Sequence, residues 1–260
     1  MTIGSFSSDL AHVILTDDLL QITMINYVIN ILKSRNYFGL NINLENIYPS
    51  DRELYTRFLQ TVTANLHPLG YITVSSGALR LNEARYGLLF GAEQYPVLYS
   101  REVNRVSIIV TYEWGYTYGP PMAVVPLNLV RNALDHLVSI IPSKNVLVGM
   151  TNYGFNWALP YAATTPAYML SFAQAEELAA HTGAAIQFDQ DSQSPFFYYE
   201  DDMGVLHVVW FDNEASIRAR LELIRLYNLG GVSFWTINQF SPESYLALAE
   251  MYDIRKMLGA

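Results

Sequence analysis

From residue 16 onward, stretches with apolar residues at helical spacing alternate with short runs rich in β-branched and aromatic residues. That alternation admits few folds, because it is the pattern of a parallel sheet whose strands are joined by crossover helices. Leu19, Leu20, Ile22, Ile25, Val28, Ile29 and Leu32 recur at helical spacing behind Thr16 or Asp17, either of which can cap the helix. Pro49 followed by Ser50-Asp51-Arg52-Glu53 predicts a capping box for a second helix, with Leu54, Phe58, Leu59, Val62 and Leu66 inward and Gly70 past its end. Further helices are expected over 126–141, 171–182, 213–228 and 242–258, with strands over 38–44, 71–75, 106–112, 145–151 and 231–236 between them. These read as consecutive barrel strands. The stretch 184–212 breaks the rhythm with three β-rich runs, 185–189, 196–199 and 207–211, and a polar turn at Asp201-Asp202-Met203-Gly204. It reads as a small antiparallel insertion before the last βα unit. With no internal repeat, low-complexity tract or linker, residues 1–260 are expected to form one domain.

Composition removes several classes of function. Fifteen basic against 24 acidic residues give a net charge of −9, and no basic run could neutralise phosphates, so neither nucleic acid nor an anionic membrane is an expected partner. The absence of cysteine excludes disulfides, thiolate metal sites and cysteine nucleophiles. His12, His67, His136, His181 and His207 are scattered without a ligand-pair spacing, so no metal is expected. Gly230-Gly231 precedes a strand rather than opening a helix, so no nucleotide cofactor is indicated, and the cofactor expectation is none. The N-terminus lacks a basic region before an apolar run, so no signal peptide is visible, and no stretch approaches the ~20 apolar residues of a membrane span. Nineteen Tyr, 12 Phe and 4 Trp suit a sugar cleft as well as a core, and their number alone does not decide.

The strongest local signal is Tyr37-Phe38-Gly39-Leu40-Asn41-Ile42-Asn43-Leu44-Glu45. Period-two geometry puts Asn41, Asn43 and Glu45 on one face of a strand and Leu40, Ile42 and Leu44 on the other. In a (β/α)8 barrel the C-terminal ends of the strands form the catalytic face, so Glu45 is a candidate acid or base. The alternative is a strand with one solvated side that ends in an ordinary glutamate.

The segment resembles the Asp-Gly-x-Asp-x-Asp-x-Glu signature of family-eighteen glycoside hydrolases, the chitinase-like enzymes, with Gly39 and Glu45 retained. Thr111-Tyr112-Glu113-Trp114 resembles the strand-six Met-x-Tyr motif, Gly149-Met150-Thr151-Asn152-Tyr153-Gly154 the strand-seven Gly-x-Pro-x-Tyr-Gly motif, and Gly231-Val232-Ser233-Phe234-Trp235 the strand-eight tryptophan. Within that family, Tyr112-Glu113-Trp114-Gly115 with Gly119-Pro120-Pro121, and Gln193-Ser194-Pro195-Phe196-Phe197 with Val209-Trp210-Phe211, resemble the spore-germination N-acetylglucosaminidases that degrade cortex peptidoglycan.

The resemblance implies an α/β fold, a TIM-type barrel, and a retaining, substrate-assisted reaction. In that reaction one carboxylic acid protonates the glycosidic oxygen and the substrate's own 2-acetamido carbonyl is the nucleophile, which sets the class apart from two-carboxylate glycosidases. It implies Glu45 as acid and then base, Asn43 in the place of a catalytic aspartate, and Tyr112 orienting the acetamido group. It also implies Asn41, Glu113, Trp114, Tyr153 and Trp235 as substrate-binding residues, with Trp235 as an apolar floor. The implied substrate is a glycan containing β-linked N-acetylglucosamine, peptidoglycan or chitin-like, at the spore cortex or coat.

Two departures bear on activity. Asn43 stands where the family has an aspartate that stabilises the cationic intermediate, and loss of one such stabiliser lowers a rate by about a hundred- to a thousandfold. It also removes a like charge beside Glu45, so Glu45 is expected to be a weaker proton donor near neutral pH. Phe38 and Asn41 replace the other acidic positions. Second, residues 2–5 resemble the end of the family's third strand, so the first two βα units are expected to be lacking. Such a gap leaves sheet edges that favour association, and a second copy covering the open barrel is one way to close it. The alternative to a hydrolase is therefore a catalytically impaired glycan-binding or spore-coat protein.

Overall fold

The structure is a computed structural model and describes residues 1–45, 47–78, 102–109, 120–162, 167–236 and 241–254. Six strands form a parallel sheet in the spatial order β1 (Thr2–Ser5), β2 (Gly39–Leu44), β3 (Ile72–Ala78), β4 (Arg105–Ile109), β5 (Val146–Thr151) and β11 (Gly231–Trp235). Helices α1 (Ser8–Thr16) and α2 (Asp18–Ser34) cross from β1 to β2, and α3 (Arg52–Leu66) crosses from β2 to β3. Helix α4 (Leu127–Leu137) leads into β5, and α6 (Glu214–Leu226) leads into β11. Helix α7 (Pro242–Met251) packs on α6.

The periodicities explain the layering. Leu40, Ile42 and Leu44 of β2 are buried on the helix side of the sheet, as are Tyr55, Phe58, Leu59, Val62 and Leu66 of α3. The side chain of Asp17 accepts the Leu20 N–H at 2.9 Å and starts α2 where the sequence places a cap. Helix α1 has no counterpart in the sequence reading, because only Ala11 and Leu15 of its residues are buried while Leu10 and Val13 face outward, which blurs the helical stripe. The predicted capping box at Ser50–Glu53 does not form. A 3-10 turn over Pro49–Asp51 precedes α3, and Asp51 turns its carboxylate to the His12 Nδ1 at 2.7 Å instead of to the helix N–H groups. Gly70 ends the region as expected, in the left-handed conformation at φ +81° after a second 3-10 turn. Helices α4 and α7 end earlier than their apolar patterns suggest, at Leu137 and Met251.

The insertion is larger than the sequence reading of 184–212. A five-stranded antiparallel sheet has the order β7 (Tyr168–Leu170), β6 (Gly154–Ala158), β10 (Leu206–Trp210), β9 (Ser194–Glu200) and β8 (Gln187–Asp189), and so begins at Gly154. Strand β6 was hidden because it follows β5 after a two-residue break, so its aromatic residues read as a continuation of the preceding motif. Helix α5 (Phe172–Thr182), with a full capping box between Ser171 and Gln174, lies inside this insertion and packs against β9.

The parallel sheet is curled. Met1, Thr2 and Phe6 at one edge and Ser233, Phe234 and Trp235 at the other line one cavity of about 270 Å³. Among the described residues no strand joins β1 to β11. Closed barrels of this kind fill their interior with Val, Ile and Leu. Here Gly39, Asn41, Asn43, Ser76, Ser107, Gly149, Thr151 and Ser233 contribute to the lining, and small or polar side chains leave space.

Candidate active site at the C-terminal end of the curled sheet

Strand β2 delivers the sequence-predicted row. Asn41 lies one layer deep, accepting the Ser76 hydroxyl on its Oδ1 at 2.8 Å and facing Thr2 Oγ1 at 3.5 Å. Asn43 follows on the same face, 5% exposed, and its Nδ2 donates to Glu45 Oε1 at 3.0 Å. Glu45 is itself buried at the end of the strand, with its backbone N–H held by the Ser5 carbonyl at 2.8 Å. Close approach of the flanking strands fixes this geometry. A Cβ on Gly4 would lie 2.7 Å from the Asn43 carbonyl, and a Cβ on Gly39 would collide with the Ile72 carbonyl, so neither position tolerates a side chain.

The amide of Asn43 is used on one side only. Its Nδ2 is engaged by Glu45, while its Oδ1 is buried with no hydrogen-bond partner among the described residues. Across the sheet, Thr151 Oγ1 at the end of β5 is in the same condition. Both residues line the cavity, as do Asn41 and Trp235, and Glu45 is joined to that lining through Asn43. Trp235 is 42% exposed and pairs in register with Thr151. The Trp235 carbonyl accepts the Asn152 N–H at 3.0 Å, and the Thr236 carbonyl accepts Asn152 Nδ2 at 2.9 Å. The peptide between Trp235 and Thr236 is cis. Deeper in the interior, the Ser107 and Ser233 hydroxyls meet at 2.5 Å.

Tyr153, in the turn between β5 and β6, is buried with its ring edge-on to Phe155 at 5.4 Å. Burial first, then the negative charges of Glu45 and Asp212, push its hydroxyl far above the ordinary tyrosine value, so it stays protonated and can donate. Sequence reasoning therefore brings Asn41, Asn43, Glu45, Tyr153 and Trp235 to one end of the sheet. Tyr112, Glu113 and Trp114 lie outside the described residues. Thr151 was missed as a site residue, although its alternation with Leu147 and Gly149 on β5 marks it as inward-facing.

A second buried polar cluster was also missed. Arg220 of α6 and Asp212 after β10, each about 1% exposed, pair at 2.8 Å. Arg220 Nε and Nη2 donate to the Val125 carbonyl at 2.8 and 2.6 Å, and Nη2 also reaches Ser194 Oγ at 3.0 Å. Burial raises the Asp212 carboxyl and Arg220 opposes that shift. Among the described residues no group of three or more His, Asp or Glu is placed to hold a metal ion, and no helix is long and apolar enough to cross a membrane.

A carboxyl group at the strand end, beside an amide and a cavity with an exposed tryptophan, is a set of groups suited to a sugar. The model of the family Glycosyl hydrolases family 18 matches residues 4–239. The chain belongs to this family. It is 32% identical over 253 residues to the cortical fragment-lytic enzyme of Bacillus subtilis (strain 168), covering 97% of this chain and 58% of the relative. It is 29% identical over 261 residues to the putative sporulation-specific glycosylase YdhD of the same organism, covering 99% of this chain and 60% of the relative. The crystal structure of the spore cortex-lytic enzyme SleL of Bacillus cereus superposes with a TM-score of 0.87 at 32% identity, over 98% of this chain and 60% of that one. The family-18 chain thus spans about three-fifths of the length of these relatives.

Proposed function

We propose that this family-18 chain is a glycosidase that cleaves β-linked N-acetylglucosamine in peptidoglycan, by the retaining, substrate-assisted route. The observation that carries the reading is the buried pair Asn43–Glu45 at the C-terminal end of β2, where Asn43 lines the cavity and its Oδ1 has no partner among the described residues. Glu45 protonates the glycosidic oxygen as the bond to C1 breaks. The 2-acetamido carbonyl oxygen attacks C1, and the leaving sugar departs with the proton. Glu45, now a carboxylate, takes a proton from the water that opens the oxazolinium ring and returns the sugar with its configuration retained.

The Asn43 Oδ1 is oriented to accept the acetamido N–H, holding that group for attack, which is worth a large entropic share of the barrier when the positioning is close. Tyr112 would complete the clamp on the acetamido group, with Glu113 and Trp114 beside it, while Trp235 lies under the sugar and Tyr153 and Asn41 line its surroundings. Residues 1–260 form one domain in this reading. Its six strands belong to an eight-strand barrel, with the gap between β11 and β1, and its place of action is the spore cortex, by likeness to the relatives.

One observation favours a second reading. The N–H donated from Asn43 to Glu45 Oε1 stabilises the carboxylate over the carboxylic acid, which works against proton donation. A glycan-binding protein with impaired turnover would tolerate that. The test is release of reducing ends from cortex fragments by the wild type, Glu45→Gln and Asn43→Asp. Slow release by the wild type, acceleration by Asn43→Asp and loss in Glu45→Gln support the glycosidase. No release by the wild type or by Asn43→Asp, with glycan binding intact, supports the binding protein.

A further inference from the structure

The cavity lining includes a second buried polar atom without a hydrogen-bond partner among the described residues. Thr151 is 3% exposed, its Oγ1 has no hydrogen-bond partner among the described residues, and it lines the cavity with Trp235 next to it across the β5–β11 pair. A buried hydroxyl left unpaired is destabilising, and one carried by a residue that lines a cavity can be satisfied by a ligand.

Resting on the glycosidase reading, we infer that Thr151 is a specificity-determining residue whose hydroxyl bonds a hydroxyl group of the bound sugar. The chemistry of the two unpaired atoms selects the ligand. Asn43 Oδ1 can only accept and requires an N–H or O–H, whereas Thr151 Oγ1 can donate or accept. An N-acetylated sugar carries an amide N–H for the first and ring hydroxyls for the second. Its apolar face fits Trp235, which presents an aromatic surface beside the threonine. A purely apolar ligand would leave both atoms unpaired, and an anion would meet the Asn43 carbonyl oxygen and the nearby Glu45 carboxylate.

The test uses the whole chain with the β-1,4-linked tetrasaccharide of N-acetylglucosamine, followed by titration calorimetry, together with the melting temperature of the free protein. Thr151→Val keeps shape and removes the hydroxyl. It is expected to bind the tetrasaccharide about tenfold more weakly while the free protein melts at the same temperature or higher, because an unpaired buried hydroxyl has become a methyl group. Thr151→Ser keeps the hydroxyl and is expected to bind within about twofold of the wild type. Equal binding by the wild type and Thr151→Val overturns this inference alone. So does a Thr151→Val protein whose melting temperature falls while Thr151→Ser loses affinity equally, since the residue then acts through packing. Absence of binding by the wild type overturns the glycosidase reading and this inference with it.

Discussion

The curled parallel sheet and the antiparallel layer each bury a polar cluster, and they treat their polar atoms in opposite ways. In the antiparallel region, Asp212 and Arg220 compensate each other's charge and spend their remaining capacity on Ser194 and on the Val125 carbonyl. The atoms left over, Asp212 Oδ2 and Arg220 Nη1, belong to side chains already held by several partners. At the end of the parallel sheet, Asn43 and Thr151 both line a cavity, and each keeps a buried oxygen without a hydrogen-bond partner among the described residues. A cluster whose charges compensate each other holds elements together. Unpartnered polar atoms in residues that line a cavity are suited to a ligand.

The largest effect expected from breaking this contrast is on chemistry. Glu45→Gln removes the only proposed proton donor and should lower reducing-end release by about 10²–10⁴-fold while the melting temperature stays near that of the wild type. Asn43→Asp restores a negative charge beside the developing cation and should raise the rate by about 10²–10³-fold. It also places a like charge next to Glu45, so the alkaline limb of the rate profile should move to higher pH, where the acid form now persists. A pH-rate series on both proteins measures the two effects together.

The Asp212–Arg220 cluster predicts stability changes instead. Arg220→Met or Asp212→Leu alone leaves one buried charge uncompensated and should cost about 3–5 kcal/mol in denaturant unfolding, whereas the double variant should recover most of that loss. A double variant no more stable than the singles would contradict the pairing. A smaller effect is expected at Asp201, in the turn between β9 and β10. The backbone N–H groups of Val205 and Met203, with His207, hold its carboxyl below the ordinary value, the Val205 contact first. Its stabilising contribution is present above the unfolded carboxyl pKa of about 3.9 and is lost as pH falls through the lower folded value. Asp201→Asn should therefore flatten the acid side of the melting-temperature profile slightly, and an unchanged slope would remove that assignment.

Much of the parallel sheet was legible in the sequence because its signals are local. The period-two row Asn41, Asn43, Glu45 needed only strand geometry, and the helix of Leu19–Leu32 needed only 3.6-residue spacing and the Asp17 cap. The α2 start and the β2, β5 and β11 spans follow those rules closely. What escaped depends on distant contacts. The Ser50–Glu53 capping box was read from local spacing alone, which does not show that Asp51 inside it pairs with His12, 39 residues earlier. Strand β6 gains its identity from β10, some fifty residues later, and no periodicity in Gly154–Ala158 announces that pairing. Arg220 sits on a helix whose charged pattern reads as solvated, yet its guanidinium reaches a carbonyl 95 residues away. The site followed the same division. Its β2 half could be read directly, whereas Thr151 became notable only because it lines the cavity and its hydroxyl has no partner among the described residues.

The most direct test of the central claim is a crystal structure of Glu45→Gln soaked with a β-1,4-linked N-acetylglucosamine oligosaccharide. The expected result has the acetamido N–H within hydrogen-bond distance of Asn43 Oδ1, a glycosidic oxygen beside residue 45 and the ring over Trp235. A sugar bound elsewhere, with the Asn43 carbonyl still unpaired, would contradict it.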